Sequence, residues 1–137
     1  MEAVSGSLDA NILLRLLLND VSDQHRAVEA LLGRATGKFE VADTAIIETV
    51  FVLDRHYGLT RPQAIEAIEG IMALVQIRCN HELFSKALPL YAKCPKLSFE
   101  DCCLSAYAEL NHAEPLWTFD IKLAHQSPNA RLVPNSP

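Results

Sequence analysis

Short apolar, strand-like runs alternate with amphipathic helical segments along this chain, and this alternation restricts its fold more than any other feature. Strands that are separated by helices favour a parallel sheet with helices on both faces. The predicted strands are Val4–Leu8, which is weak, Phe39–Ala42, Val75–Cys79 and Pro115–Phe119, which we expect to be buried with Trp117 in the core. The sequence therefore predicts the α/β class.

Helices are predicted from their caps and from the three-to-four spacing of apolar residues. Thr60 and Gln63 form a capping-box pattern, and Ile65, Ile68 and Met72 mark the apolar stripe of the helix that follows. The predicted helical segments are 12–18, 22–33 with Ser22 as cap, 43–58 with Gly58 as stop, 60–72, 81–92, 98–111 with Ser98 as cap, and 121–125.

Length and composition indicate one globular domain over residues 1–137. Half of the residues are apolar, and no uncharged stretch is longer than eight residues. A membrane-spanning helix needs about 20 apolar residues, so no membrane association is expected. Because the four cysteines lack zinc-ligand spacing and the first residues lack the pattern of a secretory signal, we expect reduced core thiols and a cytoplasmic protein.

The charge balance limits how the chain can bind nucleic acid. The formal net charge is −5, from 12 basic and 17 acidic residues. Broad electrostatic binding of nucleic acid requires a basic surface, so this balance argues against it. An acidic nuclease is compatible with the sequence if metal ions neutralise carboxylates locally and a few basic residues grip the substrate. Arg15 and Lys122 are the candidates for phosphate contacts.

Four acids are candidates for one site. Three of them lie where predicted strand tips meet helix starts, namely Asp9, Asp101 and Asp120, and the fourth, Glu48, lies within an apolar helix. Asp9 and Asp120 each follow a strand and precede a helix, at the edge of a parallel sheet where ligands bind. Taken singly, each also suits a helix N-cap. Asp101 lies in the first turn after the Ser98 cap, where the helix dipole stabilises a carboxylate by about 0.3–1 kcal/mol.

Glu48 is the acid that a structural role explains least well. It interrupts the apolar run from Ala45 to Leu53, so we expect its side chain to be at least partly buried. A buried carboxylate needs a cation, a proton or a basic partner. Oxygen-only ligands select hard ions, so a shared pocket of four acids predicts Mg²⁺ or Mn²⁺. Such ions can activate a water for hydrolysis of a phosphodiester, without a protein nucleophile.

Four blocks of the sequence resemble the PIN-domain family, in particular its VapC-type toxins. The blocks are Leu8–Arg15 with Asn19-Asp20, Ile47–Leu53 with Tyr57–Thr60, Phe99–Leu104, and Thr118–Leu123. They come in the family's order, their acids lie 39, 53 and 19 residues apart, and they cover nearly the whole chain. The resemblance implies a three-layer α/β/α sandwich around a central parallel sheet.

The resemblance also implies a function and a division of roles. It implies magnesium-dependent cleavage of RNA by the toxin of a toxin–antitoxin pair, a cognate antitoxin protein that blocks the acidic pocket, and a homodimer. By this likeness Asp9 and Asp101 are the central metal ligands, and Glu48 and Asp120 complete the pocket directly or through waters. A further pair, expected to hydrogen-bond and orient the carboxylates, is Asn11 and Thr118.

Three alternatives compete with this interpretation. In the first, the chain is a non-catalytic α/β interaction module whose acids are helix caps and salt-bridge partners. In the second, it is a metal-free ribonuclease with a histidine acid/base pair, although the five histidines are scattered along the sequence. A receiver-like phosphoacceptor domain is the third, but it normally has a paired acidic start and a late lysine, which this sequence lacks.

Overall fold

The computed structural model describes residues 3–136. The chain forms two compact units that divide after Asn80. No helix in the described part of the chain is long and apolar enough to cross a membrane. The prediction of one domain over 1–137 stays a prediction.

The first unit contains a three-stranded parallel sheet with β2 in the centre. Ser7 pairs with Glu40, and Glu40 in turn pairs with Arg78. The elements are β1 Val4–Ser7, α1 Ala10–Leu17, α2 Ser22–Arg34, β2 Lys38–Glu40, α3 Asp43–Arg55, α4 Arg61–Met72 and β3 Ile77–Arg78. Helices connect each parallel strand to the next, as the alternation of the sequence predicts.

The carboxyl end of β1 leads directly into the first helix. The Leu8 N–H donates to the Glu40 carbonyl at 2.9 Å, which continues the ladder one residue beyond the strand. Asp9 therefore follows a strand tip, as predicted. Leu13 and Leu14 of α1 are buried, as are Ile46 and Leu53 of α3. Burial of these apolar side chains stabilises the unit and sets which faces of α1 and α3 stay open.

Local signals predicted α4 well, apart from its buried face. The Thr60 hydroxyl accepts from the Gln63 N–H, and the Gln63 side chain accepts from the Thr60 N–H, so the capping box is confirmed. The buried stripe consists of Ala64, Ile68 and Ile71. The prediction was therefore right at Ile68, whereas the other two buried positions each lie one residue before the predicted Ile65 and Met72. At α2, Val21 occupies the N-cap without a side-chain bond, so the Ser22 cap was wrong.

The second unit contains a two-stranded parallel sheet of β4 and β5. Its elements are α5 His81–Lys93, α6 Phe99–Leu110, β4 Leu116–Thr118, α7 Ile121–Gln126 and β5 Ala130–Leu132. In its core the rings of Phe84 and Phe99 stack with centroids 6.0 Å apart, and Tyr91 meets Phe99 edge-on. With parallel strands and seven helices in the described chain, the α/β class is confirmed.

The prediction that the strand around Trp117 is buried is wrong. Trp117 is 56% exposed and Phe119 is 81% exposed. The strand is shorter than predicted, and Leu116 and Thr118, which point to its other face, are only partly covered. An apolar run of this length is compatible with a buried strand, but its composition does not say which elements cover it.

Candidate active site

A cavity of about 480 Å³ lies between the start of α1 and the second half of α3. It brings together four of the predicted site residues: Asp9, Asn11, Arg15 and Glu48. The other lining residues are Ala10, Leu14, Val52, His56 and Tyr57. Residues that lie 39 positions apart in the sequence thus share one wall, because α1 and α3 pack through their buried leucines and isoleucines.

Asp9 is the N-cap of α1, and its Oδ1 accepts a hydrogen bond from the Ile12 N–H at 3.0 Å. The side chain is exposed to the cavity. Among the described residues this cap engages one carboxylate oxygen, and a second oxygen remains on the same group. Asp9 can therefore cap the helix and bind a ligand at the same time.

Glu48 lines the cavity, but its side chain is exposed, so the expectation of a buried carboxylate is wrong. The residues that face the core from α3 are Ala45, Ile46, Thr49, Val50 and Leu53. Thr44, Glu48, Phe51 and Arg55 form an exposed stripe at helical spacing on the other side. The apolar run in the sequence hid this amphipathicity, because Ile47, Phe51 and Val52 are not fully buried.

Arg15 is fixed at the edge of the cavity by two side chains that the sequence places far from each other. Its Nη1 lies 3.1 Å from Oδ1 of Asp20, and its Nη2 donates to the Tyr57 hydroxyl at 3.0 Å. The Tyr57 hydroxyl donates in turn to Oδ2 of Asp20 at 2.7 Å. This bond from Tyr57, helped by the charge of Arg15, holds the pKa of Asp20 below its usual value.

Three residues of this region were not predicted as site residues: Asp20, His56 and Tyr57. Asp20 and Tyr57 belong to sequence blocks that carry the family resemblance, and that is the signal that could have found them. His56 lines the cavity directly after α3. No pattern in the sequence sets it apart from the other histidines.

Asp101 occupies the first turn of α6 in the second unit. Its backbone N–H donates to the Ser98 hydroxyl at 3.1 Å, which confirms Ser98 as the cap. The residue is half-buried, whereas the neighbouring Glu100 is exposed. The sequence left open which of these two acids points inward, and the structure favours Asp101.

Asp120 is the N-cap of α7, and its Oδ1 accepts from the N–H groups of Lys122 at 2.9 Å and Leu123 at 3.2 Å. The Thr118 hydroxyl accepts from the Asp120 backbone N–H at 2.9 Å. Thr118 was expected to orient the carboxylate of this acid, but its hydroxyl bonds to the backbone N–H instead. The Lys122 side chain is exposed.

The donor atoms of the first unit suit a hard divalent cation. Asp9 and Glu48 offer carboxylate oxygens at the cavity, and Asn11 offers an amide oxygen. Mg²⁺ keeps several of its waters and is commonly held by one or two carboxylates, so these donors fit it. Neither unit, as far as the chain is described, gathers three or more His, Cys, Asp or Glu side chains into a metal site.

Parallel strands, helices between them and an acidic cavity at a strand tip define an α/β protein of the kind that binds ligands at the carboxyl edge of its sheet. The model of the PIN domain family matches residues 7–127, and the chain therefore belongs to the PIN domain family. A search of curated proteins found no match.

Family membership sets the coarse function. PIN domains are typically nucleases that use divalent metal ions and act on RNA, so the chain belongs to a hydrolase class that cleaves phosphodiesters. The PIN-like fold predicted from the sequence is confirmed by the same match. The matched residues run through both units and include all four predicted acids.

Proposed function

We propose that this chain is a metal-dependent endoribonuclease of the VapC type, acting in the cytoplasm as the toxin of a toxin–antitoxin pair. Asp9, Glu48, Asp101 and Asp120 carry the reaction in this proposal. Asn11 and Thr118 support the carboxylates, and Lys122 and Arg15 contact the RNA backbone.

The cavity shared by Asp9 and Glu48 is the observation that carries the proposal. Neither acid has a lysine or arginine partner among the ion pairs of the described chain. Two carboxylates facing one opening without basic partners repel each other, and a divalent cation relieves that repulsion. The salt-bridge explanation of Glu48 is correspondingly weakened.

Asp9 and Asp101 would be the central ligands of Mg²⁺ or Mn²⁺, with Glu48 and Asp120 binding directly or through water. When bound, the ion supplies Lewis acidity and a water of lowered pKa. The protein's own contribution is to keep the oxygens in place through helix caps. The Asp9 and Asp120 caps each use Oδ1, which fixes the direction in which the remaining oxygen points.

The decisive experiment measures cleavage of a fluorescently labelled single-stranded RNA with Mg²⁺ or Mn²⁺ and with excess chelator. We expect chelator to abolish cleavage, and Asp9→Asn to do the same without lowering the free energy of unfolding, since asparagine caps a helix as well as aspartate. Asp23→Asn is the matched control, because it also removes an acid near a helix start of the first unit. Full activity of the Asp9→Asn protein contradicts the proposal.

Metal binding gives a readout that does not depend on finding the right RNA. Titration of Mn²⁺ followed by its electron paramagnetic resonance signal should show weaker binding after Glu48→Gln and after Asp101→Asn. Loss of a carboxylate ligand removes charge and one coordination bond, so we expect affinity to fall about tenfold or more. Unchanged Mn²⁺ affinity in both variants removes these acids from the site.

The antitoxin and the homodimer follow from the VapC assignment and are part of the same proposal. The described chain leaves large apolar side chains exposed around β4 and α7, namely Trp117, Phe119 and Ile121, and such patches mark interaction surfaces. Light scattering of the purified protein tests the dimer. A small partner gene beside the coding sequence, and inhibition of cleavage by its product, test the antitoxin.

A second function is supported by the cap bonds themselves. If the acids serve only as caps, the chain is an α/β interaction module, and Asp9 and Asp120 already satisfy that role. Replacement by alanine would then cost about 0.5–2 kcal/mol of stability and alter no chemistry. Loss of cleavage in the stable Asp9→Asn protein excludes this alternative.

A further inference from the structure

Arg15, Asp20 and Tyr57 form a closed ring of three polar contacts at the edge of the acidic cavity. Each side chain contacts the other two: Nη1 of Arg15 with Oδ1 of Asp20, Oδ2 of Asp20 with the Tyr57 hydroxyl, and that hydroxyl with Nη2 of Arg15. The three distances are 3.1, 2.7 and 3.0 Å. A side chain held at two atoms of its planar guanidinium has little freedom to rotate.

The ring differs from an ordinary surface ion pair in how much of Arg15 it covers. The Arg15 side chain is only 14% exposed, against 40% for Asp20. Exposed ion pairs contribute little because both side chains lose entropy when they are held. Because most of the Arg15 side chain is already covered, packing removes much of that entropy, and the ring mainly sets the orientation of the guanidinium.

Arg15 is also the sole permanent cation among the cavity-lining residues of the described chain. It lies one helical turn after Asn11 on α1, on the same face as the residues that open onto the cavity. Its guanidinium carries five N–H donors; Nη2 donates one of them to the Tyr57 hydroxyl, and Nη1 forms an ion pair with Asp20. The remaining donors suit a phosphate, which accepts paired hydrogen bonds from arginine.

We propose that Tyr57 and Asp20 are positioning residues that orient Arg15 toward a backbone phosphate of the RNA at the Asp9–Glu48 cavity. This inference rests on the proposed ribonuclease function. Tyr57 acts through its hydroxyl, which accepts from Arg15 and donates to Asp20. Asp20 balances the charge of Arg15 without occupying the cavity, since it is not among the cavity's lining residues.

The end of α3 explains how Tyr57 reaches this position. Tyr57 follows the C-cap His56, and Gly58 after it takes a φ of 63°. The Gly58 N–H donates to the Asp54 carbonyl at 3.1 Å, which closes the helix with a left-handed residue. Tyr57 therefore lies in the turn that follows α3, where its hydroxyl contacts Arg15 of α1.

The test measures binding of a single-stranded RNA oligonucleotide to the full chain with Mg²⁺, in an Asp9→Asn background that blocks cleavage. We expect Arg15→Gln to raise Kd about tenfold, the loss typical of one charge-assisted contact, and Tyr57→Phe to raise it about three- to fivefold. Arg15→Gln should also reduce the slope of log K against log salt by about 0.7, as expected for one lost phosphate contact on a single strand.

A double-mutant cycle separates positioning from structure. If Tyr57 acts through Arg15, Tyr57→Phe should have no further effect on Kd once Arg15→Gln is present. Tyr107→Phe, which removes the hydroxyl of an exposed tyrosine on α6, is the matched control and should leave Kd unchanged. Asp20→Asn should also raise the Kd for RNA, as Tyr57→Phe does.

Each outcome decides a separate point. Unchanged Kd and salt slope in Arg15→Gln overturn the inference, as do additive effects in the cycle or a failure of the Asp9→Asn protein to bind RNA. The ribonuclease assignment is tested by metal-dependent cleavage with the wild-type chain. Absence of cleavage alongside Arg15-dependent binding would refute the enzyme and leave an RNA-binding role for the ring.

Discussion

Alanine substitution should change the free energy of unfolding in opposite directions at Gly58 and Gly70, although both changes add the same methyl group. Gly58 lies in the turn after α3 with a φ of 63°, whereas Gly70 lies inside α4. At both positions a new Cβ meets no atom within 4 Å. Clashes with the surrounding packing are therefore absent in both cases, and the local backbone conformation decides the sign.

The magnitudes follow from the conformational preferences of alanine. In the left-handed region alanine is less favourable than glycine by about 1–2 kcal/mol, so Gly58→Ala should lower the free energy of unfolding by that amount. Inside a helix alanine is more favourable by roughly 0.5–1 kcal/mol, so Gly70→Ala should raise it. For a chain of this size the two melting temperatures should differ by about 5–10 °C.

Urea unfolding followed by circular dichroism at 222 nm measures both variants against the wild type. Gly58→Asn provides a further check, because asparagine tolerates the left-handed region better than alanine and should lose less stability. A stabilised Gly58→Ala protein, or two variants that shift in the same direction, would show that the left-handed end of α3 is not formed in solution. The placement of Tyr57 beside Arg15 would then lose its physical basis.

Two further predictions concern polar groups other than the four proposed catalytic acids. Asp20 has a lowered pKa in the folded state, so its contribution to stability is complete above its usual pKa of 3.8 and is lost as pH falls through the lowered value. The difference in free energy of unfolding between wild type and Asp20→Asn, measured by urea unfolding, should therefore shrink below about pH 3.8. Buried Ser105 contacts Ser127 at 2.9 Å and donates to Oδ1 of Asn129 at 2.6 Å. Ser105→Ala should therefore cost about 1–3 kcal/mol in the same assay, whereas the exposed Ser85→Ala should change stability by about 0.5 kcal/mol or less; equal effects of the two serines would contradict the assigned network.

Features of the fold that depend on neighbouring residues could be predicted from the sequence. The capping box at Thr60 and the cap at Ser98 need only four consecutive positions, and both are present. Strand β5 was missed because its three residues lie between two prolines and show no alternation. It forms through pairing with β4, and no local sequence pattern indicates that pairing.

The candidate site likewise combines residues that local sequence patterns predict with contacts that depend on the tertiary structure. The position of Asp9 at a strand tip and helix cap could be predicted because both are local patterns, and Asp9 lines the cavity. The exposure of Glu48 could not be predicted from the sequence, because it depends on which face of α3 packs against other elements. The contact between Arg15 and Tyr57 spans 42 positions and depends on where α3 ends, so it becomes visible only in three dimensions.

Capping and metal binding are usually weighed as competing explanations for an acid at a helix start, but this geometry makes them complementary. A cap needs one oxygen, and the Asp9 and Asp120 caps both use Oδ1. The cap bonds hold the carboxylate in one orientation before any ligand arrives, so less entropy is lost when an ion binds the second oxygen. The presence of a cap bond is therefore no argument against catalysis. An acid that caps and also faces a cavity, as Asp9 does, is better prepared for a cation than one that is free to rotate.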